Sequence, residues 1–197
     1  MKDDAQLQLV RDTYQRMTDE ELVRVATQNA TGLTEAAQEI VRKEIERRGL
    51  DAAIVQGVQV QNKRLTEDEL DVYCELARSL DCPVCGNADT KLNATLVMTV
   101  RSFIFLTQWK KKIKVACPDC LDKANNSAMI SSALLGWWGI PWGFIKTPQA
   151  IIQNLRSKNA NRLDEPNRYL KSYVLSKVGQ FETYKENRNK LQEVIST

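Results

Sequence analysis

The sequence predicts an α+β fold, and three observations carry that prediction. Helix-capping signals crowd the first third, a β-branched and aromatic stretch fills residues 91–116, and two C-x2-C pairs bracket that stretch. The expected order is an N-terminal helical hairpin (1–50), a linker (51–65) and a helix joined to a small four-cysteine module (66–125). An apolar helical hairpin (126–160) and a long C-terminal helix (161–197) follow.

The first third reads as short helices. Thr18 with Glu21 fits a capping box, in which hydroxyl and carboxylate each satisfy an orphan backbone donor. Thr34 suits the start of a second helix that sets Ile40, Val41 and Ile45 on one face. Arg47 and Arg48 fit its last turn, and Gly49 fits the left-handed position beyond it. Residues 51–65 show little periodicity. Thr66 and Glu69 make another capping box, and the helix after it presents Leu70, Tyr73, Leu76, Ala77 and Leu80. Cys74 on that helix reads as a small buried core residue in preference to a fifth ligand. ATLVMTV, SFIFLTQW and KIKVA then predict a β-hairpin or a three-stranded meander. From Pro166 onward, Leu170, Val174, Val178, Phe181, Leu191 and Ile195 fall in helical phase.

CPVCG at 82–86 and CPDC at 117–120 are the strongest signal. A C-x2-C turn sets two sulfurs on one side of a tight loop, and two such turns supply the four soft ligands of a tetrahedral site. Cys82, Cys85, Cys117 and Cys120 are therefore the expected ligands of one structural zinc. Gly86 gives the first turn its permissive backbone. The second pair lacks that glycine, and Pro118, Asp119 and Asp122 suit a helix start. A treble clef is expected, with a plain zinc ribbon as the close alternative. CPVCG also resembles a rubredoxin knuckle, which implies iron, but the aromatic spacing of rubredoxin is missing.

The chain contains no histidine, which removes Ser-His and Cys-His dyads and histidine metal sites. No other catalytic constellation stands out, so no enzymatic activity and no small-molecule substrate are expected. MKDDAQLQLV carries no apolar run behind its charges, so a secretory signal is not expected. The thiols are expected in a reducing cytosol, where paired cysteines bind metal more often than they form disulfides.

Between Ser127 and Ile145 the chain carries no charge, a run close to the ~20 residues of a spanning helix. Serines, glycines and Pro141 dilute it, and Trp137, Trp138 and Trp142 sit near its middle, not at its ends. Two short apolar helices meeting at a tryptophan-rich bend are expected. They lie in a bilayer interface, dip into the bilayer or cover the sheet in a protein core, and membrane association is preferred. Residues 1–81 hold eleven basic against seventeen acidic groups, whereas 82–163 hold eleven against three. Lys110, Lys111, Lys112 and Lys146 belong to that basic middle, where an anionic membrane surface is the expected partner.

CPVCG, CPDCLDK and LLGWWGIPWGFIKTPQAIIQN, in that order over about residues 80–155, resemble a group of uncharacterised bacterial proteins. In these a cysteine-pair zinc module precedes a GWWGIPWG-type apolar segment. The resemblance implies zinc and membrane association and no chemistry. A non-enzymatic, zinc-stabilised adaptor or scaffold is thus expected, peripheral or monotopic on the cytoplasmic face of the inner membrane, with protein partners engaged through its helices. The alternatives are a soluble nucleic-acid binder using KKKIK, Arg101 and Trp109, and a thiol redox protein or rubredoxin-like electron carrier.

Overall fold

A computed structural model describes residues 2–103 and 106–196. Among the described residues there are ten helices and one two-stranded antiparallel sheet, a mixed α+β architecture. The helices are α1 (Lys2–Arg16), α2 (Asp19–Gln28), α3 (Glu35–Arg47), α4 (Ala53–Asn62) and α5 (Glu67–Arg78), then α6 (Pro118–Leu135), α7 (Trp142–Lys158), α8 (Arg168–Ser176), α9 (Val178–Thr183) and α10 (Arg188–Ser196). The strands are β1 (Asn93–Phe103) and β2 (Leu106–Ala116). The chain divides into two compact units, 1–73 with 174–194 and 74–173 with 195–197.

In the first unit the capping chemistry operates as written in the sequence. Glu21 N–H donates to Thr18 Oγ1 at 3.2 Å while Thr18 N–H donates to Glu21 Oε2 at 2.9 Å. Thr34 caps α3, Gly49 takes φ +67°, and Thr66 with Glu69 forms the second box at α5. Leu22, Ala26, Val41, Ile45, Ile54 and Val58 bury themselves together as the core. Glu44 is buried beside them and receives Arg47 and Arg48, each at 2.6 Å. Arg48 also donates to the carbonyls of Met17, Tyr14 and Gln15, which closes the end of α1.

Two expectations fail. Residues 51–65 are not a plain linker, because α4 occupies most of them. Asp51 Oδ1 accepts from Ala53 N–H at 2.9 Å, and Ile54 with Val58 turns one face to the core. Gly57 and several valines weaken the helical signal, yet Gly57 is where α9 crosses. A Cβ there would lie 2.8 Å from the Gly179 carbonyl oxygen. The long C-terminal helix is broken into α8, α9 and α10. Asn187 Oδ1 accepts from Lys190 N–H at 3.1 Å and restarts α10, and Asn167 Oδ1 caps α8 through Tyr169 and Leu170.

In the second unit β1 and β2 pair from Asn93↔Ala116 to Phe103↔Leu106. A two-stranded ribbon therefore replaces the possible meander; Ile104 and Phe105, within the predicted SFIFLTQW strand, lie outside the described residues. The α6 helix starts at the second cysteine pair and runs through Leu135, so the expected boundary at 125/126 falls inside one helix. Both α6 and α7 lie against β1. Asn154 takes the backbone of Met98 as a strand would: its Oδ1 accepts from Met98 N–H at 3.2 Å and its Nδ2 donates to Met98 O at 2.7 Å. Val100 N–H donates to Ser132 Oγ at 3.1 Å, and Asn167 Nδ2 donates to Ala94 O at 2.7 Å. Helix and loop side chains thus satisfy the edge of β1 that faces away from β2.

Candidate metal centre

Residues 82–87 build the first half of the centre. Cys82 N–H donates to Asn87 O at 2.9 Å and Gly86 N–H to Cys82 O at 2.8 Å, so the chain folds back on itself with Gly86 at φ +73°. That turn brings Cys82 and Cys85 to one side. The second half comes from the ribbon's end. Cys117 follows directly on β2 and occupies the N-cap of α6, Pro118 takes the first turn, and Cys120 lies one helical step further on. Asn93↔Ala116 pairing holds the two halves together in space, because β1 starts just beyond the first pair and β2 ends at the second.

All four sulfurs lie within 4.8 Å of one another, and Cys85 Sγ stands 3.7 Å from Cys117 Sγ. A tetrahedral ion with metal–sulfur bonds of about 2.3 Å requires sulfurs about 3.8 Å apart. The cluster is positioned to bind one metal ion. Cys82 and Cys117 are buried, Cys120 is half-buried and Cys85 is exposed. Cys74, as expected, is buried elsewhere in α5 and takes no part.

The thiol acidities follow from this crowding. Burial pushes the Cys82 thiol up, but amide donors from Cys117, Val84 and Cys85 outweigh it and bring the group down to about 7. The Cys117 amide reaches Cys82 Sγ at 3.3 Å. Burial raises Cys117, and burial with the adjacent Cys117 and Cys85 thiols pushes Cys120 up to about 12. Four thiolates this close repel one another, so all four ionise together only around a cation. Beyond the centre, Arg162 pairs with Asp119 at 2.8 Å and Asp122 at 2.9 Å.

Of the other predicted contact residues, Trp137, Trp138, Trp142 and Lys146 lie toward the opposite end of the ribbon, while Lys110, Lys111 and Lys112 pair with Thr99, Met98 and Val97 at its middle. Trp137, Trp138 and Trp142 are exposed and do not cover the sheet, contrary to the protein-core alternative. Small and polar side chains do that instead: Asn125, Ala128, Ser132, Thr147, Ala150 and Asn154 are buried. Gly136 and Gly143 let the α6–α7 turn close, since a Cβ at Gly143 would meet Gly136 O at 2.6 Å. Lys146 sits over the Trp109 ring, 5.2 Å from its centroid. Lys110 and Lys112 share one ribbon face with Arg101 and Lys114, whereas Lys111, opposite Met98, lies on the other. Among the described residues, no helix is long and apolar enough to cross a membrane.

Two sets of residues at this site carry little signal in the sequence. Phe103 and Leu106 were read only as strand, yet they form the ribbon's last pair with 71% and 69% exposure. The asparagines that hold β1, above all Asn154 and Asn167, gave no local signal except that they are uncharged amides within or beside apolar helices. Compared with family models, curated proteins and solved structures, the chain finds no match.

Proposed function

We propose that this protein is a non-enzymatic adaptor whose four cysteines hold one structural zinc and whose α6–α7 region associates with a membrane on its cytosolic face. The observation that carries the membrane part is the inverted polarity of α6 and α7. Beyond Leu121, their buried side chains are small, hydroxyl-bearing or amide-bearing, while Ile130, Leu134, Phe144, Ile145 and Leu155 face outward. Helices in lipid associate in this way, with small and hydrogen-bonding residues inside and apolar ones outside.

The zinc assignment is supported by four thiolate donors at tetrahedral spacing, which leave no coordination position open for water. The order of knuckle, ribbon and helix start fits a treble clef better than a ribbon with two knuckles, and it favours zinc over a rubredoxin-type iron. The role of the ion is to staple a two-stranded ribbon too small to hold itself. Elemental analysis of the purified chain tests this part. About one zinc per chain is expected, lost in Cys82→Ser and Cys117→Ser together with protection of residues 80–125 from proteolysis. Full folding without metal would refute it. Fractionation tests the other part: recovery in the soluble fraction at low salt without detergent would sink the membrane reading.

A further inference from the structure

We infer that the end of the ribbon and the α6–α7 turn enter an anionic bilayer together, as one shallow wedge ringed by Arg101, Lys110 and Lys146. This rests on the membrane association proposed above and gives it a residue set, a depth and a lipid class.

The two prongs form one surface. Ser102 Oγ donates to Gly136 O at 2.7 Å, and Ser102 with Thr107 is the pair next to the ribbon's end. A Cβ on Gly139 would press on Ser102 Cβ at 3.1 Å, so the turn is seated directly on the strands. Phe103 and Leu106 on one side and Trp138 and Ile140 on the other, the latter two 69% and 76% exposed, therefore project from the same end. Several large apolar groups exposed side by side mark an interaction site.

Charge selects the partner. The chain has no acidic residue between Thr90 and Pro118 or between Lys123 and Arg162, and the intervening Asp119 and Asp122 pair with Arg162 at the cysteine end. Arg101 stands two residues back from Phe103 and Lys110 four back from Leu106, or about 7 Å and 14 Å at the rise of a strand. Lys146, over the Trp109 ring, supplies a cation on the opposite ribbon face. The Arg101 setback meets phosphates when apolar groups enter about 5–10 Å into a bilayer, and the flexible stem of Lys110 spans its longer setback. Among the described residues no strand lies beside the outer edge of β2, so deeper entry would strip water from backbone groups. Depth is thus limited to the last strand pair and the turn.

The chain supplies its own probe, because all four tryptophans, Trp109, Trp137, Trp138 and Trp142, belong to this end. The test uses the metal-loaded 197-residue chain with vesicles of phosphatidylcholine alone or mixed with phosphatidylglycerol. Binding is read by flotation, and depth by quenching of tryptophan emission with bromine-labelled acyl chains. Binding to the anionic vesicles, blue-shifted emission and quenching by bromine near the glycerol end of the chains are expected. Phe103→Ser with Leu106→Ser should weaken partition at least about tenfold. Arg101→Gln with Lys110→Gln should weaken it about twentyfold on anionic vesicles and leave the weak binding to neutral ones unchanged. Circular dichroism and zinc content confirm that each variant is folded. Binding to neither vesicle overturns the membrane reading and this inference with it, as does salt-sensitive capture of an RNA oligonucleotide in place of vesicles. Vesicle binding with unquenched tryptophans, or with the Phe103/Leu106 variant as tight as the parent, overturns the wedge alone. Equal binding to both vesicles overturns the cationic ring.

Discussion

Replacing Asn154 by leucine tests how the second unit is held together. Asn154 is fully buried, and its amide serves β1 from both ends: the oxygen accepts from Met98 N–H and the nitrogen donates to Met98 O. Its oxygen also accepts from Asn125 Nδ2 at 3.2 Å. Leucine fills the same space but leaves three buried polar groups without partners. Each such group costs about 1–3 kcal/mol, and the gain from a buried isobutyl group offsets only part of that. A net loss of about 3–5 kcal/mol is expected, a large share of a typical domain's stability. Gln149→Leu, on the exposed side of the same helix, is the control and should change stability by less than about 0.5 kcal/mol. Urea titration followed by circular dichroism gives the free energies, and hydrogen exchange at the Met98 amide gives the local consequence. A loss under about 1 kcal/mol with an unchanged Met98 amide would refute the idea that helix side chains stand in for a missing strand.

Two further outcomes follow from the first unit. Arg47, joined by Arg48, holds the Glu44 carboxylate down at about 2, against an ordinary value of 4.5. A depressed carboxylate stabilises the fold above 4.5 and loses that contribution as pH falls toward 2, so stability should rise with pH across this window. Glu44→Gln should flatten the slope by up to about one proton, and a parent chain with no slope between these pH values would contradict the pairing. Gly57→Ala should destabilise the α4–α9 crossing by about 1–3 kcal/mol, because the added methyl meets backbone at Gly179 and not only the flexible Thr183 side chain. Thermal melts would read it, and an unchanged midpoint would show that α9 moves aside freely.

Local chemistry was legible in the sequence, and distant partnership was not. Thr18, Thr34 and Thr66 work within three residues of themselves, and so do the two halves of the cysteine centre. Their spacing alone carries the geometry. The α4 helix escaped notice because its β-branched residues and Gly57 read as non-helical, while the crossing helix that uses Gly57 lies more than a hundred residues away. Asn187 and Asn167 were hidden for a different reason. Apolar periodicity runs straight through the C-terminal segment, and it does not record that an asparagine beside the apolar positions starts a new helix.

The exposed tryptophans follow from the way Asn154 and Ser132 hold β1. A two-stranded ribbon leaves each strand one unpaired edge, and β1 turns its edge toward α6 and α7. Those helices satisfy it with Ser132 and Asn154 and come close enough to do so through Ala128, Gly136 and Ala150. Inward positions given to amides, hydroxyls and small groups are closed to leucine and tryptophan. The apolar residues that hydropathy detects are then displaced to the outer face and to the turn at the ribbon's end. In water that arrangement sacrifices most of the burial these side chains offer; against lipid it sacrifices none, because the outer face needs only an apolar solvent. The metal centre fits the same logic. Cys82, Cys85, Cys117 and Cys120 stand at the open end of the ribbon, where β1 begins and β2 ends, while the hairpin end projects Phe103, Leu106 and Trp138 without a core of their own to hold them.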